Sequence, residues 1–329
     1  MPDLKHIEHQ IFNISDTEEF NEVALEIFYF QYHNNKVYGN FVNSLSLKTD
    51  NISHFSEIPF IPISLFKTQY VVSGVFDPEI IFNSSGTSGM QASKHAVKNL
   101  ALYQKSFLSG FSTFFGKADE YVILGLLPSY IEKGDSSLVY MVQKLIEKSK
   151  QPESGFFLHE YEELNNRLIK LRDEDRKVIL IGVTYALLDL AELYPLEFPN
   201  LILMETGGMK GRRKELVREE LHAKLKKAFR LEHVYSEYGM TEMLSQAYSK
   251  GEGIFNNPPW MKVFIRDPND PLSLLPMGKT GGINVIDLAN IHSCSFIATQ
   301  DLGKLHEDGS FEVLGRFDNS DVRGCNLLV

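Results

Sequence analysis

From Ile80 to Tyr238 the chain alternates between short runs that are apolar at almost every position and longer stretches that are apolar along one helical face. Tyr121 to Leu127 is a near-continuous apolar run stopped by Pro128, and Val178 to Val183 and Leu201 to Met204 are two more. Between them, Ser136 to Lys150 sets Leu138, Met141, Val142, Leu145 and Ile146 on one face, and Tyr185 to Leu193 reads as a further helix. Arg213 to Phe229 is a charged helix with Leu216, Leu221 and Leu225 inward, and Leu231 to Tyr235 reads as the strand that closes the series. A strand with no polar alternation has to be covered on both faces. That requirement predicts an α/β fold built on mostly parallel sheets with helices on either side. Ligands of such sheets sit beyond the carboxyl ends of the strands.

The flanks differ in texture. Ser15-Asp16-Thr17-Glu18 reads as a capping box, followed by Phe20, Val23, Ala24, Ile27 and Phe28 at helical spacing. Ile58 to Pro62, with two prolines, is extended and leads toward a first strand. After Gly253, short alternating segments (Lys262 to Ile265, Ile283 to Leu288, Phe296 to Ala298, Phe311 to Leu314) separated by Gly-, Asn- and Asp-rich turns predict a small antiparallel β-rich lobe. The expected division is residues 1–75 as a helical and extended region packed on the core, 76–252 as the α/β core, and 253–329 as the β-rich lobe.

Charge and cysteine content remove several classes of function. A formal charge of −10 over 329 residues, with no basic stripe, argues against nucleic acid or an anionic membrane as partner. Lys224, Lys226 and Lys227 form only a short cluster, which reads as a solvated helix face. His6 and His9 read as surface histidines. Two cysteines, Cys294 and Cys325, make neither a disulfide framework nor a zinc set. Met1-Pro2-Asp3 lacks the positive start of a signal peptide, and no apolar run reaches the roughly 20 residues that a membrane span needs. The expected compartment is the cytoplasm.

Five segments carry the chemistry. Ser84-Ser85-Gly86-Thr87-Ser88-Gly89 follows the apolar run Ile80-Ile81-Phe82 after Asn83, the pattern of a strand opening into a loop whose N–H groups and hydroxyls surround an anion. It is not the familiar G-x-x-x-x-G-K-[ST] loop, because Gly86 has Gln91 five residues on and Gly89 has Lys94. Thr206-Gly207-Gly208, Tyr235-Ser-Glu-Tyr-Gly-Met-Thr-Glu242, Gln300-Asp301-Leu302-Gly303 and Gly315-Arg316-Phe317-Asp318 with Arg323-Gly324 complete the set. Taken alone, each has a plain reading: a surface turn at Ser84, a core aromatic at Tyr238, a first-turn helix carboxylate at Glu242, turn residues at Asp301 and Asp318, a surface ion pair at Arg316.

In this order, the five segments resemble the core motifs of the adenylate-forming enzymes, the superfamily of acyl-CoA ligases and peptide-synthetase adenylation domains. Gly207-Gly208-Met209-Lys210-Gly211 and the ending Arg323-Gly324-Cys325-Asn326-Leu327-Leu328 are similar in particular to acyl-protein synthetases, the fatty-acid-activating subunits of bacterial fatty acid reductase complexes. The resemblance covers most of the chain beyond about Asp50. It implies an N-terminal domain of the adenylate-forming type, with ATP and Mg²⁺ as cofactors. Ser84, Ser85, Gly86, Thr87, Ser88 and Gly89 would hold phosphates, while Gly207 and Gly208 let the backbone pass close to the nucleotide. Tyr238 would stack on adenine beside Gly239. Thr241 would bond a phosphate, Glu242 would hold Mg²⁺, Asp301 would accept from the ribose hydroxyls and Arg316 would contact ribose or phosphate. Cys325 matches the cysteine that takes the acyl group in the resembled family, and a thiolate is a natural attacker of a mixed anhydride. Cys294 has no motif around it and reads as core.

The pattern also departs from the superfamily. Lys94 comes two residues later than the usual lysine after the glycine loop, and the Gly315-Arg316 segment is about one residue shorter before Arg323-Gly324. The chain ends soon after that segment, where the resembled CoA ligases continue into a small mobile domain. The expectation is therefore an acyl-protein synthetase: a carboxylic acid, most simply a fatty acid, becomes acyl-AMP and then a thioester on Cys325. A reductase, an acyltransferase or an acyl carrier protein would be the partner. Two rivals stand beside it, a ligase that loads a separate carrier protein or CoA, and a non-catalytic scaffold that binds a reductase or transferase.

Overall fold

The computed structural model describes residues 3–84, 91–128, 135–207 and 216–317. They fall into two compact units, one of residues 1–77 and 259–329 and one of residues 78–258.

The first unit opens with α1 (Leu4–Gln10) and α2 (Thr17–Asn34). The cap of α2 is Asp16, whose carboxylate accepts the Glu19 N–H, while Glu19 reaches back to the N–H of Ser15 at 2.8 Å. The reciprocal cap is thus one residue later than the sequence reading placed it, because Asp16 outcompetes Ser15 for the free N–H groups of the first turn. The expected face, Phe20, Val23, Ala24, Ile27 and Phe28, is buried. So is Gln31, which donates to the carbonyls of Asn290 and Ile291 and accepts the N–H of Ser295, fixing the helix against the later half of its own unit. α3 (Lys36–Ser44), β1 (Ile61–Pro62) and α4 (Leu65–Thr68) follow.

The second unit begins with β2 (Ile80–Asn83) and β3 (Lys94–Val97), an antiparallel pair. Then come α5 (Leu100–Phe115), β4 (Val122–Leu126), α6 (Ser137–Ser149), β5 (Gly155–Phe157), α7 (Tyr161–Asp173), β6 (Val178–Val183), α8 (Thr184–Leu193), β7 (Ile202–Thr206), α9 (Arg218–Phe229), β8 (Tyr235–Tyr238), β9 (Ala247–Ser249) and β10 (Ile254–Asn256). Strands β5, β4, β6, β7 and β8 lie side by side in parallel, and β9 and β10 extend them antiparallel. Every residue of β4 and β6 is buried, as their unbroken apolar runs require. Asn99 caps α5 by accepting from Ala101 and Leu102, and the helix ends at Gly116, whose φ of +83° leaves the helical region.

Two expectations are corrected. The closing strand is Tyr235–Tyr238, not Leu231 to Tyr235, so the Tyr-Ser-Glu-Tyr half of the motif is strand and its turn starts at Gly239. The Ile80 run pairs with Lys94–Val97 in its own two-stranded sheet instead of joining the parallel one.

The first unit resumes with β11 (Met261–Arg266), β12 (Thr280–Asp287), β13 (Phe296–Leu305) and β14 (Phe311–Arg316), paired antiparallel in that order, with β1 parallel to β13. Cys294 is fully buried among them, and burial pushes its thiol up to about 12, so it is inert core. Among the described residues no helix is long and apolar enough to cross a membrane.

Candidate functional site

Three neighbouring strands of the parallel sheet end side by side. β6 runs into Thr184, β7 into Gly207 and β8 into the Gly239-to-Glu242 turn. Gly207 has φ +67°, a conformation that costs glycine little, and its carbonyl accepts the Thr184 hydroxyl at 2.6 Å. Tyr238 is buried with its ring edge-on to Phe255, centroids 5.9 Å apart. Gly239 follows, and a Cβ there would stand 2.5 Å from Glu237 Oε1, so only glycine fits while that carboxyl keeps its place.

The β2–β3 pair flanks the Ser/Gly segment, of which only Ser84 is described. Ser84 closes the loop at its base: its N–H donates to the Ser93 carbonyl at 3.0 Å and its hydroxyl accepts the Ser93 N–H at 2.9 Å. On the returning strand, buried His95 donates from Nδ1 to the carbonyl of Thr241 at 2.7 Å. The two segments lie far apart in sequence and are held together by that bond.

Two carboxylates occupy adjacent strands just inside the edge. Glu205 of β7 is paired in register with Ser236, and Thr206 with Glu237 of β8. Successive side chains of a strand point to opposite faces, so Glu205 and Glu237 face opposite sides of the sheet. Burial works against the charge of Glu205, but His222 and Arg218 of α9, each 3.7 Å from Oε1, and the Ser236 hydroxyl at 2.7 Å outweigh it and hold the carboxyl below its ordinary range. Glu237 has no such surroundings. Burial pushes its carboxyl up to about 7; the bond from the Thr206 hydroxyl opposes the rise and the charge of Glu205 adds to it.

In the other unit, Asp301 lies within β13, where it is buried and register-paired with Arg316 of β14. Arg316 Nε reaches Asp301 Oδ1 at 3.3 Å, and its side chain is otherwise largely exposed. Asp301 is thus a strand residue that keeps an ion pair, not a turn residue.

Of the residues singled out in the sequence, the structure brings Ser84, Gly207, Tyr238, Gly239, Thr241 and Glu242 into the second unit, and Asp301 and Arg316 side by side in the first. Ser85, Gly86, Thr87, Ser88, Gly89, Gly208 and Cys325 lie outside the described residues. Glu242 is buried on the turn after β8. Magnesium needs only one or two carboxylates and completes its shell with phosphate and water, which one glutamate beside a threonine fits. Among the described residues no group of three or more His, Cys, Asp or Glu side chains forms a protein-only metal cage. Sequence reasoning missed His95, Thr184 and Glu205, and gave no role to Thr206 or Glu237 although both lie inside its motifs. The available signal was Glu205 and Glu237 inside otherwise apolar or aromatic strand runs, where a carboxylate needs a reason.

No protein-family model matches the chain, and no curated protein does. Solved structures do. ATP-bound MatB from Rhodopseudomonas palustris superposes with a TM-score of 0.54 at 17% identity, covering 72% of this chain and 47% of that one. A 2-hydroxyisobutyryl-CoA ligase, in complex with 2-HIB-AMP and CoA, superposes with a TM-score of 0.65 at 12% identity, covering 92% of this chain and 71% of that one. The chain thus spans about half the length of the first. At such identities the likeness is one of fold, the α/β fold that the chain shares with part of these proteins.

Proposed function

We propose that this protein activates a carboxylic acid with ATP and then carries the acyl group as a thioester on Cys325. The observation that carries the reading is the His95–Thr241 bond, which seats the base of the Ser/Gly loop against the Tyr-Gly-Met-Thr-Glu turn at the carboxyl edge of a parallel sheet. The like fold of ATP-bound MatB and of a 2-hydroxyisobutyryl-CoA ligase holding 2-HIB-AMP supports the same chemistry here.

In this reading a carboxylate oxygen of the acid attacks the α-phosphorus of ATP. The bond from that phosphorus to the bridging oxygen breaks, and pyrophosphate leaves. Negative charge grows on the phosphates, so donors must be in place beforehand. The Thr241 hydroxyl is such a donor, its backbone held by His95. The Ser85-to-Gly89 segment would supply others. Glu242 would hold Mg²⁺, which would supply charge neutralisation. Tyr238 offers a ring to the adenine, while Asp301 and Arg316, already paired, keep the ribose and phosphate roles that the resemblance gives them. The Cys325 thiolate then attacks the acyl carbon; its C–O bond to AMP breaks, and the thiol proton goes to solvent. A fatty acid is the substrate the resemblance favours.

The test is incubation with labelled acid, ATP and Mg²⁺. A stable acyl-protein forms, and Cys325→Ala abolishes it while acid-dependent pyrophosphate exchange persists. Label that still accumulates on the alanine variant contradicts the acceptor assignment. A second reading, transfer to a separate thiol such as CoA or a carrier protein, is favoured by the CoA-bound ligase of like fold. It predicts acyl transfer only when that thiol is added.

A further inference from the structure

The sheet face that carries Glu237 holds a group of polar atoms that the adenylation step does not use. Thr206, Glu237 and Tyr248 are register neighbours across β7, β8 and β9, so their side chains share one face. Gln246 joins them: its Cγ lies 3.2 Å, and Glu237 Oε1 2.5 Å, from the point where a Cβ on Gly239 would stand. Helix α5 covers this face, with Phe114 and Phe115 each 5.3 Å from the Tyr248 ring and Ser106 bonded to Ser245 at 3.0 Å.

The group is short of partners. The Tyr248 hydroxyl and Gln246 Oε1 are buried with no hydrogen bond among the described residues. Glu237 has the Thr206 hydroxyl on Oε2 alone, among the described residues, although the residue as a whole stays at intermediate exposure. Each buried polar atom left unsatisfied costs about 1–3 kcal/mol, and two on one sheet face beside a carboxyl call for an explanation. Their chemistry says what is missing. Gln246 Oε1 is an acceptor, a glutamate carboxylate is an acceptor, and a tyrosine hydroxyl takes either role. What completes the group is a hydrogen-bond donor, and a plain alkyl chain supplies none. The position says where it comes from: Gly239 is two residues before Thr241, next to the turn assigned to the phosphates.

We infer that Glu237, Gln246 and Tyr248 line the recognition pocket for the acid, and that the acid carries a hydroxyl or an ammonium group close to its carboxylate. The inference rests on the adenylation reading and narrows its substrate from fatty acids in general to donor-bearing acids. The carboxyl of Glu237, raised to about 7 by burial, suits both: protonated or ionised it bonds a hydroxyl, and ionised it pairs with an ammonium.

Pyrophosphate exchange into ATP, measured on the full chain with acids matched in length and unsubstituted, hydroxylated or aminated near the carboxylate, tests it. A substituted acid should exceed its unsubstituted counterpart by roughly tenfold or more in kcat/KM, since a site built to bond a donor rejects the analogue lacking it. Glu237→Gln should erase the preference if the group is an ammonium and largely keep it if it is a hydroxyl. Gln246→Leu should cut it in either case. Thermal unfolding of each variant shows whether it is folded. A preference for the unsubstituted acid, or a ratio that folded Gln246→Leu leaves unmoved, overturns the inference and shows that water fills the pocket, while adenylation stands. Failure of every acid to support exchange overturns the adenylation reading and the inference together.

Discussion

Glu205 and Glu237 stand one strand apart at the same edge of the same sheet, and their surroundings could hardly differ more. Helix α9 brings a guanidinium and an imidazole to Glu205, and the neighbouring strand brings Ser236, so its charge is answered on every side. Helix α5 lays aromatic rings on the face that carries Glu237, and among the described residues the hydrogen bond Glu237 keeps comes from a threonine on its own sheet. Buried charge that the fold has answered is architecture. Buried polarity that the fold has left open is what the inferred acid would complete.

The contrast can be broken by substitution. The largest effect belongs to Glu205→Gln, which removes the buried carboxylate that answers His222 and Arg218 and should cost about 3 kcal/mol of stability at pH 7, read by thermal or denaturant unfolding. Because the folded carboxyl of Glu205 is lowered, its contribution is complete above the ordinary carboxylate range and lost as pH falls through the folded value; the variant should lack that acid-side slope. Glu237→Gln should go the other way. The raised carboxyl favours the fold fully below the ordinary value of 4.5 and loses that advantage as pH rises through about 7, so the wild type weakens over that window. The variant should be flat there and roughly 2 kcal/mol more stable at pH 8. Equal losses from both substitutions would dissolve the distinction.

A smaller effect comes from His95→Ala, which removes the bond to Thr241. It should cost about 1 kcal/mol of stability yet raise KM for ATP several-fold, since the hairpin that carries the loop loses its anchor. Smallest is Asp173→Ala. Arg172 and Asp173 stand 2.7 Å apart, closer than Arg218 and Glu205, but are exposed, and losing the pair should move stability by less than ~0.5 kcal/mol. A large effect there would mean that distance, not burial, sets the worth of these pairs.

The sheet was legible in the sequence because Val122–Leu126 and Val178–Val183 are apolar throughout, and only a doubly covered strand reads so. The helix of Phe20 to Phe28 was legible for the complementary reason, a single apolar face. Pairing was not legible. Ile80-Ile81-Phe82 looks like any core strand, and nothing local says that its partner is Lys94–Val97. Strand β8 was placed too early because Val234 and Leu231 suggested a strand, whereas hydrogen bonding to Met204, Glu205 and Thr206 begins at Tyr235. The motif residues Tyr238, Gly239, Thr241 and Glu242 stood out by order and spacing. His95, Gln246 and Tyr248 did not, since their meaning depends on what lies across the sheet, and a one-dimensional pattern carries no such neighbour.

The claim beneath all of this is that the turn after β8 and the loop between β2 and β3 form one nucleotide site. Calorimetric titration of ATP with Mg²⁺ into the protein, into Thr241→Ala and into Glu242→Gln measures that claim most directly. The account predicts one site per chain, with affinity reduced about tenfold or more in each variant. Absence of binding, or equal affinity in all three proteins, contradicts it.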